Sequence, residues 1–150
     1  MTTSFVTLNH GWNADPNAPE PKIERQGSDI VLSFAVNAFL FPQFEEGSVC
    51  SVKFHNCWRY RLGATNDEGW HLGQCRFSRL APAWGEFYQV EGNLLLESAP
   101  QDWMITAAPR AESHHYLFYL KDGTFECDAT SYQVRLPLQA ISAWACNGEA

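Results

Sequence analysis

The sequence predicts a mostly β fold: an antiparallel β-sandwich or partly open small barrel, with at most one short helix. Three observations carry this. Asp122-Gly123 stands between two alternating runs, His114–Lys121 and Thr124–Thr130, and Asp-Gly in that setting is a strong hairpin signal. Val49 to Leu62 alternates, with Cys50, Val52, Phe54, Trp58, Tyr60 and Leu62 on one parity, interrupted only by Asn56, the period of a strand with a core face and a solvent face. The remaining apolar runs are short and separated by Gly, Pro and Asn, which favours many strands over few long helices.

In the hairpin, Lys121 opposite Thr124 pairs Leu120 with Phe125, Phe118 with Cys127 and Tyr116 with Ala129, an apolar face. The other face carries His115, Leu117, Tyr119, Thr124, Glu126 and Asp128 and is expected to be the wetter one. Thr3–Leu8 is a first strand and 9–21 a loop, its three prolines each fixing φ and removing a donor. Lys22–Gln26 pairs as a short strand, and Asp29–Phe39 reads as a strand, with Phe41–Gly47 the connection to the next element. The long run Val49–Leu62 is expected to bend near His55-Asn56. Trp70–Phe77 is expected to return as a strand, with Leu62 opposite Trp70 and Cys57 opposite Cys75. Glu86–Val90 and Leu94–Glu97 form a further pair. Ser98–Pro109 is the helical candidate, with Ser98 as N-cap and Asp102 at the positive end of the dipole. Tyr132–Leu138 continues the sheet, and Gln139–Ala145 closes the chain.

At 150 residues, with 45% hydrophobic and 18% charged residues, the chain is long and apolar enough for one globular domain, 1–150. A net charge of −7 with ten basic residues argues against nucleic acid and anionic membrane surfaces as partners. Arg59, Arg61, Arg76 and Arg79 are the nearest approach to a basic cluster. No run reaches the roughly 20 apolar residues of a spanning helix, and the N-terminus has no signal-peptide pattern. The five cysteines form no Cys-x-x-Cys pair, so a reduced, cytoplasmic protein is expected.

Four constellations are candidates for chemistry. In the register above, His55, Cys57 and Cys75 meet on one hairpin face, as zinc ligands would, but their spacing matches no zinc motif; no metal or cofactor is expected. His115 beside Asp128 has the makings of a general base, against which stands the absence of any nucleophile placed by sequence. The carboxylates Asp67-Glu68, Glu86, and Glu126 with Asp128 are acid/base candidates whose separation sequence does not fix; on a wet face they keep a sheet soluble. Trp12, Trp70, Trp84 and Trp103 lie in or beside loops; exposed, they offer a stacking platform or a hot spot, and buried, as Trp12 would be if it folds back over an apolar surface, they close the ends of the core. Phosphate loops, Gly-x-Ser-x-Gly and His-Glu-x-x-His are absent from the sequence.

These readings predict a small acidic, non-catalytic binding domain that engages a protein partner through aromatic loops: Trp12, Asn66, Asp67, Glu68, Trp70, Trp84 and Glu86. The alternative is a small-molecule-binding barrel or barrel-type enzyme, its cavity lined by Trp58, Tyr60, Tyr116 and Phe118.

Overall fold

A computed structural model describes residues 2–92 and 100–137. The expected elements at Leu94–Glu97 and Gln139–Ala145, and the proposed cap Ser98, lie outside the described residues. The elements are β1 (Ser4–Thr7), β2 (Lys22–Gln26), β3 (Asp29–Ala35), β4 (Val49–His55), β5 (Arg59–Gly63), α1 (Asp67–His71), β6 (Phe87–Glu91), β7 (Met104–Ile105), β8 (His114–Leu120), β9 (Gly123–Ala129) and β10 (Ser131–Arg135). They form two antiparallel sheets, in the orders β1-β6-β8-β9-β5-β7 and β10-β4-β3-β2. The sandwich-like, mostly β class with one short helix is the one the sequence predicts.

The two sheets share a corner. The alternating run Val49–Leu62 is β4 and β5, broken at Asn56, whose φ of 49° lies in the left-handed region that asparagine tolerates better than most residues. β9 passes into β10 through Thr130. The ladder survives both bends: Trp58 N–H donates to the Asp128 carbonyl (3.1 Å) and Thr130 N–H to the His55 carbonyl (2.9 Å). One long antiparallel pair therefore turns from one sheet into the other, pairing β5 with β9 before the bend and β4 with β10 after it. The bend expected near His55-Asn56 is this change of sheet.

Between the sheets lies a core rich in aromatic rings. Phe87, Tyr116, Phe118, Phe125 and Cys127 from one sheet meet Ile30, Leu32, Phe34, Val52, Phe54 and Tyr132 from the other. Phe118 sits 5.2 Å from both Phe34 and Phe87, and Phe54 5.3 Å from Tyr116 and Phe125. Tyr116 and Phe118, expected by the alternative reading to line a cavity, are packed into this core at 1% and 0% exposure.

The hairpin register differs from expectation by two residues. Leu120 faces Gly123, Phe118 faces Phe125 and Tyr116 faces Cys127, so the turn is Lys121-Asp122. An even shift leaves every side chain on its expected face. Gly123 is needed for a different reason than turn geometry. A Cβ there would lie 3.1 Å from Leu62 Cδ1 and 3.3 Å from the Gly63 carbonyl, so the glycine admits the close approach of β5.

The face expected to be wetter is buried instead. Residues 64–86, read in part as a strand, cover it with Cys75, Phe77 and Ala81, packed on Tyr88, Val90, Leu117 and Tyr119, with Phe5, Trp70 and Trp84 at the margin. Asn66 explains why Trp70 begins no strand: its Oδ1 accepts the Gly69 N–H (2.9 Å), an N-cap, and Asp67 and Glu68 occupy the first turn of α1. The helix expected at Ser98–Pro109 is likewise replaced, within its described part, by β7, where Arg59 faces Ile105 and Tyr60 faces Met104. The strand expected to reach Phe39 stops at Ala35, because Asn37 Oδ1 takes the Leu40 N–H (2.9 Å) and turns the chain. Among the described residues no helix is long and apolar enough to cross a membrane.

Candidate functional site

Two constellations stand out, one buried and one open. The buried one lies on the covered face of β8 and β9, where His115 and Asp128 are cross-strand partners. His115 Nδ1 is 2.9 Å from Asp128 Oδ1, and its Nε2 is 2.7 Å from Glu126 Oε1. Glu126, fully buried, also accepts from Arg76 Nη1 and Arg61 Nη1, each at 3.0 Å. Arg59 Nε donates to Asp128 Oδ2 at 2.6 Å, and its guanidinium lies between the rings of Trp58 and Trp103, 4.5 and 4.1 Å from their centroids. Asp102 takes two further donors of Arg61.

An imidazole protonated on both nitrogens satisfies both carboxylates, whereas a neutral ring would turn a bare nitrogen on one of them. Burial disfavours the charged ring, but the hydrogen bonds and charges of Asp128 and Glu126 outweigh it and hold His115 above its ordinary value of 6.5. Burial likewise raises Glu126 and Asp128. Their contacts with His115, and with Arg76 and Arg61 or Arg59, outweigh that and hold both below their ordinary values of 4.5 and 3.8.

These shifts fix a pH window. His115, with its pKa raised on folding, contributes fully below pH 6.5 and loses that contribution as pH rises through its raised value. The carboxylates, with pKa values lowered, contribute fully above 4.5 and lose it as pH falls through their lowered values. Urea midpoints are therefore expected to be highest between about pH 4.5 and 6.5, the ordinary values of Glu126 and His115. In His115→Gln the decline on the basic side should be smaller. A variant with an unchanged basic-side decline would show that another group causes it.

Both ring nitrogens of His115 are engaged, which leaves no lone pair for the general-base role considered from sequence. Glu126 and Asp128 are buried counter-charges, not solubilising groups. The apparent basic cluster is explained too: Arg59, Arg61 and Arg76 neutralise them. The proposed grouping of His55, Cys57 and Cys75 does not form. Cys57 is in the core between the sheets and Cys75 in the cluster beneath the covering segment, while His55 contacts Gln133 and Asp29. Among the described residues no group of three or more such side chains is arranged to hold a metal ion.

The open constellation is at one end of the sandwich. A depression of about 340 Å³ is lined by Asn13, Asp15, Asn37, Asp67, Trp84 and Glu86, among others. Three of the residues singled out in the sequence, Asp67, Trp84 and Glu86, thus come together. Trp84, half-buried, lies on Tyr119 (4.8 Å between centroids) with Trp70 6.4 Å away. Glu86 Oε2 accepts from Asn9 Nδ2 (2.7 Å) and Asn13 Nδ2 (3.0 Å), which ties the loop 9–13 to β6. Asn66 and Glu68 are exposed beside this depression on the turn of α1.

Trp12 folds back onto the core and leaves the binding set named from the sequence. It is 3% exposed and lies in the core, stacked on Phe34 at 5.9 Å, so its indole is not offered to a partner. Conversely, two residues carry a feature that the sequence hides. Phe39 is 96% and Leu40 64% exposed, on the turn made by Asn37. In the sequence they sit between Ala38 and Phe41 in an apolar run that reads as core.

No family model, curated protein or solved structure matches this chain.

Proposed function

We propose that this chain is a binding domain that engages a protein partner through the loops at one end of the sandwich. The observation that carries this reading is the exposure of Phe39 and Leu40 next to a depression containing Trp84. Phe39 lines a second depression, of about 430 Å³, which shares Asp15, Pro16, Asn17 and Asn37 with the first. Burying a large apolar side chain gains about 1.5–3 kcal/mol, so two of them held in water by a fixed turn give a partner an anchor. Buried thiols in both cores, Cys50, Cys57, Cys75 and Cys127, accord with a reducing, cytoplasmic compartment.

The double variant Phe39→Ser, Leu40→Ser tests this. Neither side chain supports the core, so urea stability should change by less than about 0.5 kcal/mol per site, as at other exposed positions. Partner captured from extract by the wild-type domain should be lost. Undiminished capture by the variant would overturn the reading.

A further inference from the structure

We infer that the segment this end accepts is an extended, lysine- and arginine-bearing peptide with apolar residues that seat against Phe39 and Leu40; this rests on the protein-partner reading above. Three depressions adjoin here around Asn17, which lines all of them. The third, of about 320 Å³, lies beside Leu62 and the Lys121-Asp122 turn. Along the whole trough the carboxylates are Glu46, Asp15, Asp67, Glu86, Glu20 and Asp122, and the lining contains one cation, Lys121. Such a field attracts a positive partner and repels a second copy of a chain whose net charge is −7.

The wall between the depressions adds a second argument. Pro16, Pro19 and Pro21 have no N–H, and the Asn17 and Ala18 N–H groups are both spent on Asp15 Oδ1, at 2.8 and 3.0 Å. The Pro19 carbonyl is taken by the Ala35 N–H (2.7 Å), but this wall offers a ligand few backbone donors. Ammonium and guanidinium groups bring many donors and no acceptor. The carboxylates are also spread out rather than gathered: no group of three that suits a metal ion occurs among the described residues. A row of separated negative charges matches a row of separated positive ones along a peptide.

The test is fluorescence polarisation of the full chain with short fluorescein-labelled peptide pools: Lys/Arg with Leu/Phe, Asp/Glu with Leu/Phe, and Ser/Gln with Leu/Phe. The first pool should bind and the others should not, and added salt should weaken the binding. Asp67 and Glu46, both exposed, are the charges to reverse. Asp67→Lys and Glu46→Lys should each weaken binding by about tenfold, as loss of a close charge pair does, while circular dichroism confirms the fold. If the acidic or neutral pool binds instead, or if neither reversal weakens binding of the basic pool, the inference is overturned while the protein-partner reading stands. Binding of no pool also overturns the inference, and the Phe39→Ser, Leu40→Ser capture experiment then judges the broader reading by itself.

Discussion

Replacing Glu126 with alanine is expected to cost about 3–5 kcal/mol of stability, the usual penalty for removing one partner of a buried ion pair. The carboxylate is fully buried and receives His115, Arg76 and Arg61 at 2.7, 3.0 and 3.0 Å. Without it, Arg76 has lost its carboxylate beneath the covering segment, and His115 retains only Asp128. The pairs are not presumed to stabilise relative to apolar residues of the same shape. The expected loss comes from stranding cations that are largely buried. Asp102 supplies the contrast. Its side chain is 57% exposed, so its bond to Arg61 is largely solvent-screened and Asp102→Asn should cost at most about 1 kcal/mol. Urea unfolding of both variants measures this. A Glu126→Ala loss as small as that of Asp102→Asn would mean that water reaches this face of the sheet.

The second large effect is expected at Trp12. Trp12→Ala should destabilise by about 3–5 kcal/mol, as other large-to-small changes of buried aromatics do. The indole contacts Phe34, Phe87 and Phe118, with centroids 5.9, 6.2 and 6.1 Å away. Asn9 and Asn13 tie its loop to Gly85 and Glu86, so the cavity cannot readily collapse. A residue that merely contacts a partner would behave in the opposite way, losing binding with little change in unfolding. Unfolding midpoints of Trp12→Ala beside those of Phe39→Ser, Leu40→Ser separate the two roles. An unfolding curve for Trp12→Ala that overlays the wild type would return Trp12 to the surface.

What was legible in the sequence is what local pattern encodes. Period-two alternation gave both faces of β8 and β9 and both halves of the long run at 49–62, and Asn56 marked the bend between them. Alternation does not say what covers a face. Leu117, Tyr119, Glu126 and Asp128 look like the mixed outer side of a sheet, and it takes Phe77 and Arg76, some forty to fifty residues distant in sequence, to bury them. The same non-local contact converts three scattered arginines and two carboxylates into one cluster. Side-chain hydrogen bonds account for other differences: Asn66 caps a helical turn where apolar content suggested a strand, and Asn37 ends β3 and turns Phe39 and Leu40 outward. Of the candidate site, Asp67, Trp84 and Glu86 were identifiable as loop residues, but their convergence depends on the tie between loop 9–13 and β6. Phe39 and Leu40 were hidden because an apolar pair beside a proline reads as interior.

The most direct test of the binding account is a nitrogen-15 NMR titration of the full chain with the Lys/Arg–Leu/Phe peptide pool. The account predicts shifts confined to the trough: the Trp84 indole, the amides of Asn17 and Asn37, and the backbone of Phe39 and Leu40. The Trp12 indole and the His115 ring, both buried and neither part of its lining, should stay in place. Shifts confined to the exposed edge strand β2, or no shifts at any concentration of the pool, would contradict the account.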